Sequence, residues 1–272
     1  MTGMLRVVMN ACGIYDFGVC KFEAVEDNII DCMAKGRLPK SPKSVIAALF
    51  PYNTGIEFGK KSMFDSMSMF NEIAGRMLST ATNALIEMFG DYKFVWFMNP
   101  SPISGVHAAA ASGLGVVGDN GLLITPRFGT YLLIGTIVSD LEMPIDGRKI
   151  ETCEHCGECL KSCPAIKMLS PDEQLAGLNP YLCLNHPKED SSVCIPRHGG
   201  LVYGCNKCQE ACPHNKHALG TYILPFLDYV NPDKTINDLA SANHQRYLAR
   251  SFEAASRTIR ALNDDMELSS QF

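Results

Sequence analysis

Nine of the twelve cysteines lie between residues 153 and 212, and their spacing is typical of metal ligands. The first four have gaps of two, two and three residues and precede Pro164: Cys153, Cys156, Cys159 and Cys163. Gaps of two residues let a tight loop reach three corners of a cubic cluster, and the proline then turns the chain away. In the bacterial ferredoxin run with this spacing, the fourth thiolate ligates a second cluster. The run therefore predicts two [4Fe–4S] clusters with crossed ligation.

A second cysteine run supplies three more ligands, namely Cys205, Cys208 and Cys212, and it precedes Pro213. Val202 stands where a complete copy of the first run would have another cysteine. Two cubes need eight thiolates. The eighth must therefore come from Cys183 or Cys194, which lie between the two runs. One cluster would be held by Cys153, Cys156, Cys159 and Cys212, and the other by Cys163, Cys205, Cys208 and one intervening cysteine.

Structural zinc and disulfides are the alternative uses of these cysteines. Zinc favours two Cys-x2-Cys pairs around one tetrahedron, and a triple followed by Cys-Pro fits that pattern poorly. Residues 1–6 lack the charged-then-apolar layout of a secretion signal. Without an export signal, this cysteine content predicts metal ligation in a reducing, cytoplasmic compartment. No apolar run approaches the roughly 20 residues of a membrane span, so no membrane association is expected.

The composition indicates a globular protein with one large or two modest domains. The chain has 272 residues, of which 46% are hydrophobic and 19% charged. The formal net charge of −5 gives no electrostatic case for general nucleic-acid binding.

Hydrophobic patterns and turn residues predict the elements that must position the cysteines. Helices are predicted at residues 4–12, 25–34, 65–89 and 106–112, and strands at 16–20, 44–50, 93–98, 122–125 and 131–138. We expect an α+β domain at residues 1–148, a ferredoxin-like cluster domain at 149–224 and a helical tail at 225–272.

A glycine motif joins the last predicted helix of the first domain to the strands that follow. Gly113, Gly115 and Gly118 match the G-x-G-x-x-G pattern. A dinucleotide-binding turn requires a strand before the glycines and a helix after them, whereas here a helix precedes and a strand follows. The glycines still permit close backbone approach to a cofactor or to another element.

Two segments resemble the epoxyqueuosine reductases, a family that makes queuosine in tRNA with cobalamin and two [4Fe–4S] clusters. Residues 201–213 resemble the family's second cluster motif, and residues 113–126 resemble its glycine segment. The glycine segment also resembles the related corrinoid reductive dehalogenases. Weaker matches at residues 13–18 and 44–52 extend the resemblance over most of the chain, to about residue 245.

The resemblance implies a fold and a set of site residues. The fold would be a mixed-sheet α+β cobalamin-binding domain, related to nitroreductases, followed by the two-cluster domain. The resemblance selects Cys183 as the eighth thiolate, because a lone cysteine after the first run is part of the family's pattern. It also implies that the cofactor lies against Gly113, Gly115, Gly118 and Asn120.

The chain departs from the family at its acidic residues. Asn99 takes the position of the family's catalytic aspartate, and Gly105 that of a glutamate. An amide cannot donate a proton as a carboxylic acid does. We therefore expect a cobalamin-dependent iron–sulfur reductase that acts on a small substrate.

Two alternatives to that function stay open. The first is a cobalamin-free electron-transfer protein that docks a partner protein or holds a flavin. The second is a tRNA epoxyqueuosine reductase. Because of the acidic balance and the short tail, tRNA is not expected as a partner.

Overall fold

A computed structural model describes residues 2–55, 63–145, 148–164, 166 and 205–227. The chain divides into two units. The first comprises Met1–Gly55, Met69–Cys156 and Pro213–Asp228, and the second Ile56–Ser68, Gly157–Cys212 and Tyr229–Phe272. The domain boundaries expected after residues 148 and 224 stay predictions.

The described helices and strands have these bounds. The helices are α1 (Thr2–Ala11), α2 (Met63–Met88), α3 (Gly105–Ala111), α4 (Glu158–Ser162), α5 (Lys207–Glu210) and α6 (Leu224–Leu227). The strands are β1 (Phe17–Lys21), β2 (Ser44–Pro51), β3 (Phe94–Phe97), β4 (Val116–Val117), β5 (Leu123–Ile124) and β6 (Leu132–Ser139). Apart from the helix expected at residues 25–34, every predicted element of residues 4–138 is confirmed within a few residues.

The main sheet has four strands in the order β1-β2-β6-β3. Among the described strands, every neighbouring pair in it is antiparallel, so the prediction of a mixed sheet is wrong. The physical reason is the position of β6. The crossover through α2 leaves β2 and β3 parallel to each other, but β6 lies between them and runs in the opposite direction. β2 and β6 pair along their whole length, from Ser44↔Ser139 to Pro51↔Leu132.

The core of the first unit lies against this sheet. All eight residues of β2 are buried, as expected for its continuous apolar sequence. In α2 the buried stripe at helical spacing consists of Phe70, Ala74, Leu78, Ala81 and Leu85. The four alanines of α3, residues 108–111, are also buried, because their short side chains let the helix lie close to the sheet.

The helix expected at residues 25–34 is absent. This segment instead contains a short 3-10 turn at Glu26–Asn28 and the start of another at Met33–Arg37, and a third turn, Phe22–Ala24, precedes it. Between the turns, the backbone N–H of Ile30 donates to the carbonyl oxygen of Pro102 at 2.8 Å. This long-range backbone hydrogen bond takes the place of a hydrogen bond within a helix. The hydrophobic pattern of residues 25–34 does not indicate it.

The described part of the second unit centres on α4 and α5. The hydroxyl of Ser162, at the end of α4, donates to the carbonyl oxygen of Lys207 at 3.1 Å. Cys163 and Ile166 are buried together with Leu160 packed against them. Among all described residues, no helix is both long and apolar enough to span a membrane.

Candidate functional site

In the first unit, residues 151–153 at the start of the first cysteine run are hydrogen-bonded through their backbone to the glycine segment, residues 113–126. The N–H of Val117, in β4, donates to the carbonyl oxygen of Glu151 at 2.9 Å. The N–H of Cys153 donates back to the carbonyl oxygen of Val117 at 3.0 Å. Val117 and Thr152 thus form an isolated parallel bridge. These bonds fix the backbone of the first predicted cluster ligand directly beside the glycine segment.

A side-chain bridge reinforces that attachment. His155 has a φ of 56°, in the left-handed region that non-glycine residues rarely adopt. Its Nδ1 lies 2.6 Å from Oδ1 of Asp119, and its Nε2 lies 3.1 Å from the hydroxyl oxygen of Thr152. A carboxylate accepts, so Nδ1 carries the proton that is donated to Asp119. His155 therefore bonds through both ring nitrogens and holds the loop between Cys153 and Cys156.

Three potential metal ligands meet at this bridge. One ligand atom each from Asp119, Cys153 and His155 lies within 4.8 Å of the other two. A thiolate, an imidazole and a carboxylate would suit a zinc ion. However, Cys153 is also the first thiolate of the cluster run, and one terminal thiolate cannot serve both sites. The spacing of the run favours the cluster, and with Cys153 as a cluster ligand we expect His155 and Asp119 to be positioning residues.

We expect His155→Ala to make one of two reconstituted clusters labile. Loss of an outer-shell partner commonly costs about tenfold or more in metal affinity. A chelator challenge followed by visible absorbance should therefore show half the iron leaving about tenfold faster than in the wild type. Asp119→Asn keeps an oxygen acceptor for the Nδ1 proton and should lose iron more slowly than His155→Ala. The control is His217→Ala, at an exposed histidine. Equal rates in His155→Ala and wild type would contradict the positioning role.

The described thiols are compatible with cluster ligation. None of the ten described cysteines is in a disulfide. Of those in the two runs, Cys159, Cys163 and Cys212 are buried, and only Cys156 is exposed. Cys163, Cys205 and Cys208, three of the ligands predicted for one cluster, belong to the second unit. Cys183 and Cys194 lie outside the described residues.

The cysteines outside the runs are different. Burial raises the pKa of Cys20 to about 11, with a hydrogen bond from Ser112 acting in the opposite direction. Burial also raises the pKa of Cys12. Since the thiolate is the metal ligand and the nucleophile, both shifts favour an inert thiol.

Packing inside the chain accounts for two glycines of the motif. A Cβ at Gly115 would collide with the carbonyl oxygen of Ile124 and lie 3.1 Å from its carbonyl carbon. A Cβ at Gly118 would lie 2.6 Å from Oδ1 of Asn120 and 3.0 Å from Cδ1 of Ile124. Of the two roles left open by the sequence, close approach to another element is the one these contacts support. Gly113, with a φ of 75°, adopts the left-handed conformation that favours glycine.

A cavity of about 380 Å³ opens beside the glycine turn. It is lined by Ala110, Gly113, Leu114, Gly115, Val116, Pro126, Arg148, Lys149 and Glu151. Of the predicted cofactor residues, Gly113 and Gly115 line it, whereas Gly118 and Asn120 do not. The amide oxygen of Asn120 accepts from the N–H of Leu122 at 3.2 Å. Its amide nitrogen is buried and has no hydrogen-bond partner within the described parts of the chain.

Sequence reasoning missed Asp119, Arg148 and Lys149. Arg148 ends residues 140–148, which the sequence predicts as a linker, and Lys149 begins the expected cluster domain; no periodic pattern marks either cation. Asp119 directly follows the last glycine of the motif, and its partner His155 is 36 residues away in the sequence.

Asn99 is exposed in the loop that follows β3, and it does not line the cavity. On the same segment, Nδ1 of His107 lies 2.6 Å from the hydroxyl oxygen of Ser104. Gly105 packs against β6: a Cβ there would lie 3.0 Å from Cγ2 of Ile134. A glutamate at this position would need the side chain of Ile134 to shift by a few tenths of an ångström.

Comparison with known proteins gives one consistent result, although no protein-family model matches the chain. The chain is 26% identical to an epoxyqueuosine reductase from Lactococcus garvieae over 174 residues, which are 62% of this chain and 48% of that protein. A Synechocystis sp. epoxyqueuosine reductase is 27% identical over 227 residues, 78% of each chain. The chain spans about half the length of several curated relatives that it matches.

The fold agrees with these sequence matches. The solved epoxyqueuosine reductase of Streptococcus thermophilus has a TM-score of 0.64 at 16% identity, covering 100% of this chain and 85% of its own. The chain is epoxyqueuosine reductase-like. The predicted resemblance is thus confirmed. A catabolic reductive dehalogenase gives a TM-score of only 0.47 over 59% of the chain, a weaker likeness.

The expectation that tRNA is not a partner is wrong for proteins of this kind. An epoxyqueuosine reductase with a TM-score of 0.61 to the chain has been solved with an epoxyqueuosine-modified tRNA stem loop. The expectation relied on the formal charge of −5. Phosphate binding depends on where the cations lie, so an acidic total does not exclude it.

Proposed function

We propose that this epoxyqueuosine reductase-like chain is an iron–sulfur reductase that acts on epoxyqueuosine in tRNA. Two [4Fe–4S] clusters would pass single electrons to a corrinoid held by residues 1–148. Residues 149–224 would carry the clusters, followed by a tail at 225–272. The observation that carries the proposal is the spacing of the cysteine runs; the backbone N–H of their first cysteine, Cys153, is hydrogen-bonded to Val117 in the glycine segment.

The ligand sets proposed for the clusters follow the two runs. Cys153, Cys156, Cys159 and Cys212 would hold one cluster, and Cys163, Cys183, Cys205 and Cys208 the other. The described cysteines are consistent with this, because none of them is in a disulfide. Each cluster would supply one electron at a time.

A corrinoid would supply the metal-centred reduction of the substrate. The described residues provide two features suited to holding part of it. One is the cavity of about 380 Å³, near the lower end of the roughly 300–1,000 Å³ typical of ligand sites, which takes a fragment of such a molecule. The other is the buried amide nitrogen of Asn120, a donor for which the described chain supplies no acceptor.

The proposed reaction needs protons as well as electrons. Reducing the epoxide to an alkene breaks two carbon–oxygen bonds and releases the oxygen as water, which takes two electrons and two protons. Asn99 can orient the substrate through hydrogen bonds, but its amide is not a proton donor of carboxylic-acid type. Solvent, the substrate or another side chain must therefore supply the protons.

Turnover of a modified RNA tests this function. The protein would be reconstituted anaerobically with iron, sulfide and cobalamin and given a chemical reductant. An epoxyqueuosine-bearing tRNA stem loop should then yield queuosine, detected by mass spectrometry of its nucleosides. Fully loaded protein that leaves the nucleoside unchanged would contradict the proposal.

A second candidate function is reduction of a different, small substrate by the same cofactors. The observation in its favour is Asn99, because the epoxyqueuosine reductase of Bacillus subtilis has a loop with a catalytic aspartate. Reoxidation of the loaded, reduced protein by a small electrophile, with the stem loop unreacted, would select this candidate. If no cobalamin binds, the electron-transfer alternative takes the place of both.

A further inference from the structure

We propose that the cavity beside Gly113 is a phosphate-binding subsite, with Arg148 and Lys149 as its cationic groups. Only the source of the phosphate, a corrinoid or an RNA, rests on the proposed function.

The position of Arg148 depends on the glycine turn. A Cβ at Gly113 would collide with Nη1 of Arg148 and lie 2.8 Å from its Cδ. The arginine thus lies directly against the backbone of the turn, in space that any side chain at position 113 would occupy. The turn therefore places a guanidinium at the cavity wall.

Both cations are available to a ligand. Arg148 and Lys149 are exposed and form no hydrogen bond or ion pair within the described part of the chain. Other described arginines are engaged: Arg37 donates to the carbonyl oxygen of Trp96 at 3.2 Å, and Arg127 donates to Asp16 at 2.7 Å. An arginine without a partner beside a cavity has all five N–H donors free.

The charge at the cavity favours an anion. Arg148 and Lys149 contribute two positive charges, and Glu151, the acidic residue that lines the cavity, contributes one negative charge. The lining therefore keeps a net positive charge, although the chain as a whole carries −5. An arginine fork matches two phosphate oxygens, and a lysine adds a point charge.

The shape of the cavity indicates a phosphate with an organic attachment. Leu114, Val116 and Pro126 add apolar wall, and the volume of about 380 Å³ exceeds what a bare phosphate fills. A phosphodiester has this chemistry. It could come from the nucleotide loop of a corrinoid or from the backbone of an RNA.

A double variant, Arg148→Gln with Lys149→Gln, tests the subsite. Its matched control is Lys40→Gln with Lys43→Gln, which removes the same charge from two exposed lysines that do not line the cavity. The probes are cobalamin, cobinamide (which lacks the nucleotide loop and its phosphate), a tRNA stem loop and inorganic pyrophosphate. Affinities would be measured by calorimetry at two or more salt concentrations, and iron content would be checked in every variant.

We expect the double variant to bind at least one phosphate-bearing probe about tenfold more weakly than the control variant, since charge-assisted hydrogen bonds are lost. A loss for cobalamin with none for cobinamide would identify the corrinoid phosphate. A loss for the stem loop, with a salt slope smaller by up to about 2, would identify the RNA backbone. Equal affinities of the double variant and the control for all phosphate-bearing probes would overturn the subsite.

The pyrophosphate titration separates this inference from the proposed function. It requires neither turnover nor a corrinoid. Weakened pyrophosphate binding supports the subsite even if the stem loop is not reduced. Conversely, unchanged binding of every phosphate-bearing probe removes the subsite while turnover of the stem loop stands.

Discussion

Reconstituted protein is expected to contain about eight iron and eight acid-labile sulfide per chain, as two [4Fe–4S] clusters require. Cys163→Ser should lower both values to about four, because it removes one thiolate of a single cluster. Cys32→Ser is the control, since this half-buried cysteine lies outside both runs and should leave eight iron. Metal analysis and sulfide assay provide the measurement.

The same assay decides the eighth thiolate. Cys183→Ser should lose about four iron and Cys194→Ser none. The reverse result would show that the resemblance selected the wrong cysteine. A wild-type content of four iron, or stoichiometric zinc, would refute the two-cluster proposal.

Asn99→Asp is expected to raise the rate of epoxide reduction by about 10², the lower end of what a positioned acid contributes. The substitution keeps the size of the side chain and exchanges an amide for a group that can donate a proton. The gain should be larger at acid pH, where more of the carboxyl is protonated. Single-turnover kinetics on the stem loop, with the clusters and corrinoid loaded, would measure it.

Asn99→Leu is the matched control for that experiment. It has a similar size but neither donates nor accepts hydrogen bonds, so it should turn over more slowly than the wild type. Cofactor content should be the same in all three proteins, because Asn99 is exposed and does not line the cavity. Equal rates for Asn99→Asp and wild type would show that this loop does not supply the proton.

The sequence alone determined the features that depend on local pattern. The cysteine spacing, the continuous apolar run of β2 and the helical stripe of α2 could all be read without coordinates. Burial confirms the interpretation of β2, which is buried throughout. The stripe predicted for α2 is only partly right: its Phe70, Ala81 and Leu85 are buried, whereas its Ile73 and Met77 are half-buried and its Met88 is exposed. Such patterns are readable because a strand or helix repeats its environment every few residues.

Only the tertiary structure decided which distant residues meet. It placed β6 between β2 and β3, so a crossover that makes those two strands parallel yields an antiparallel sheet. It paired Asp119 with His155, and it brought Arg148 against Gly113. The spacing of the glycine motif did not reveal its role either. The fold shows that a Cβ at Gly115 would collide with the carbonyl oxygen of Ile124 and that a Cβ at Gly118 would crowd the side chains of Asn120 and Ile124. Each of these contacts depends on how the chain folds back on itself. Residues that are far apart in the sequence leave no periodic pattern there from which their contact could be predicted.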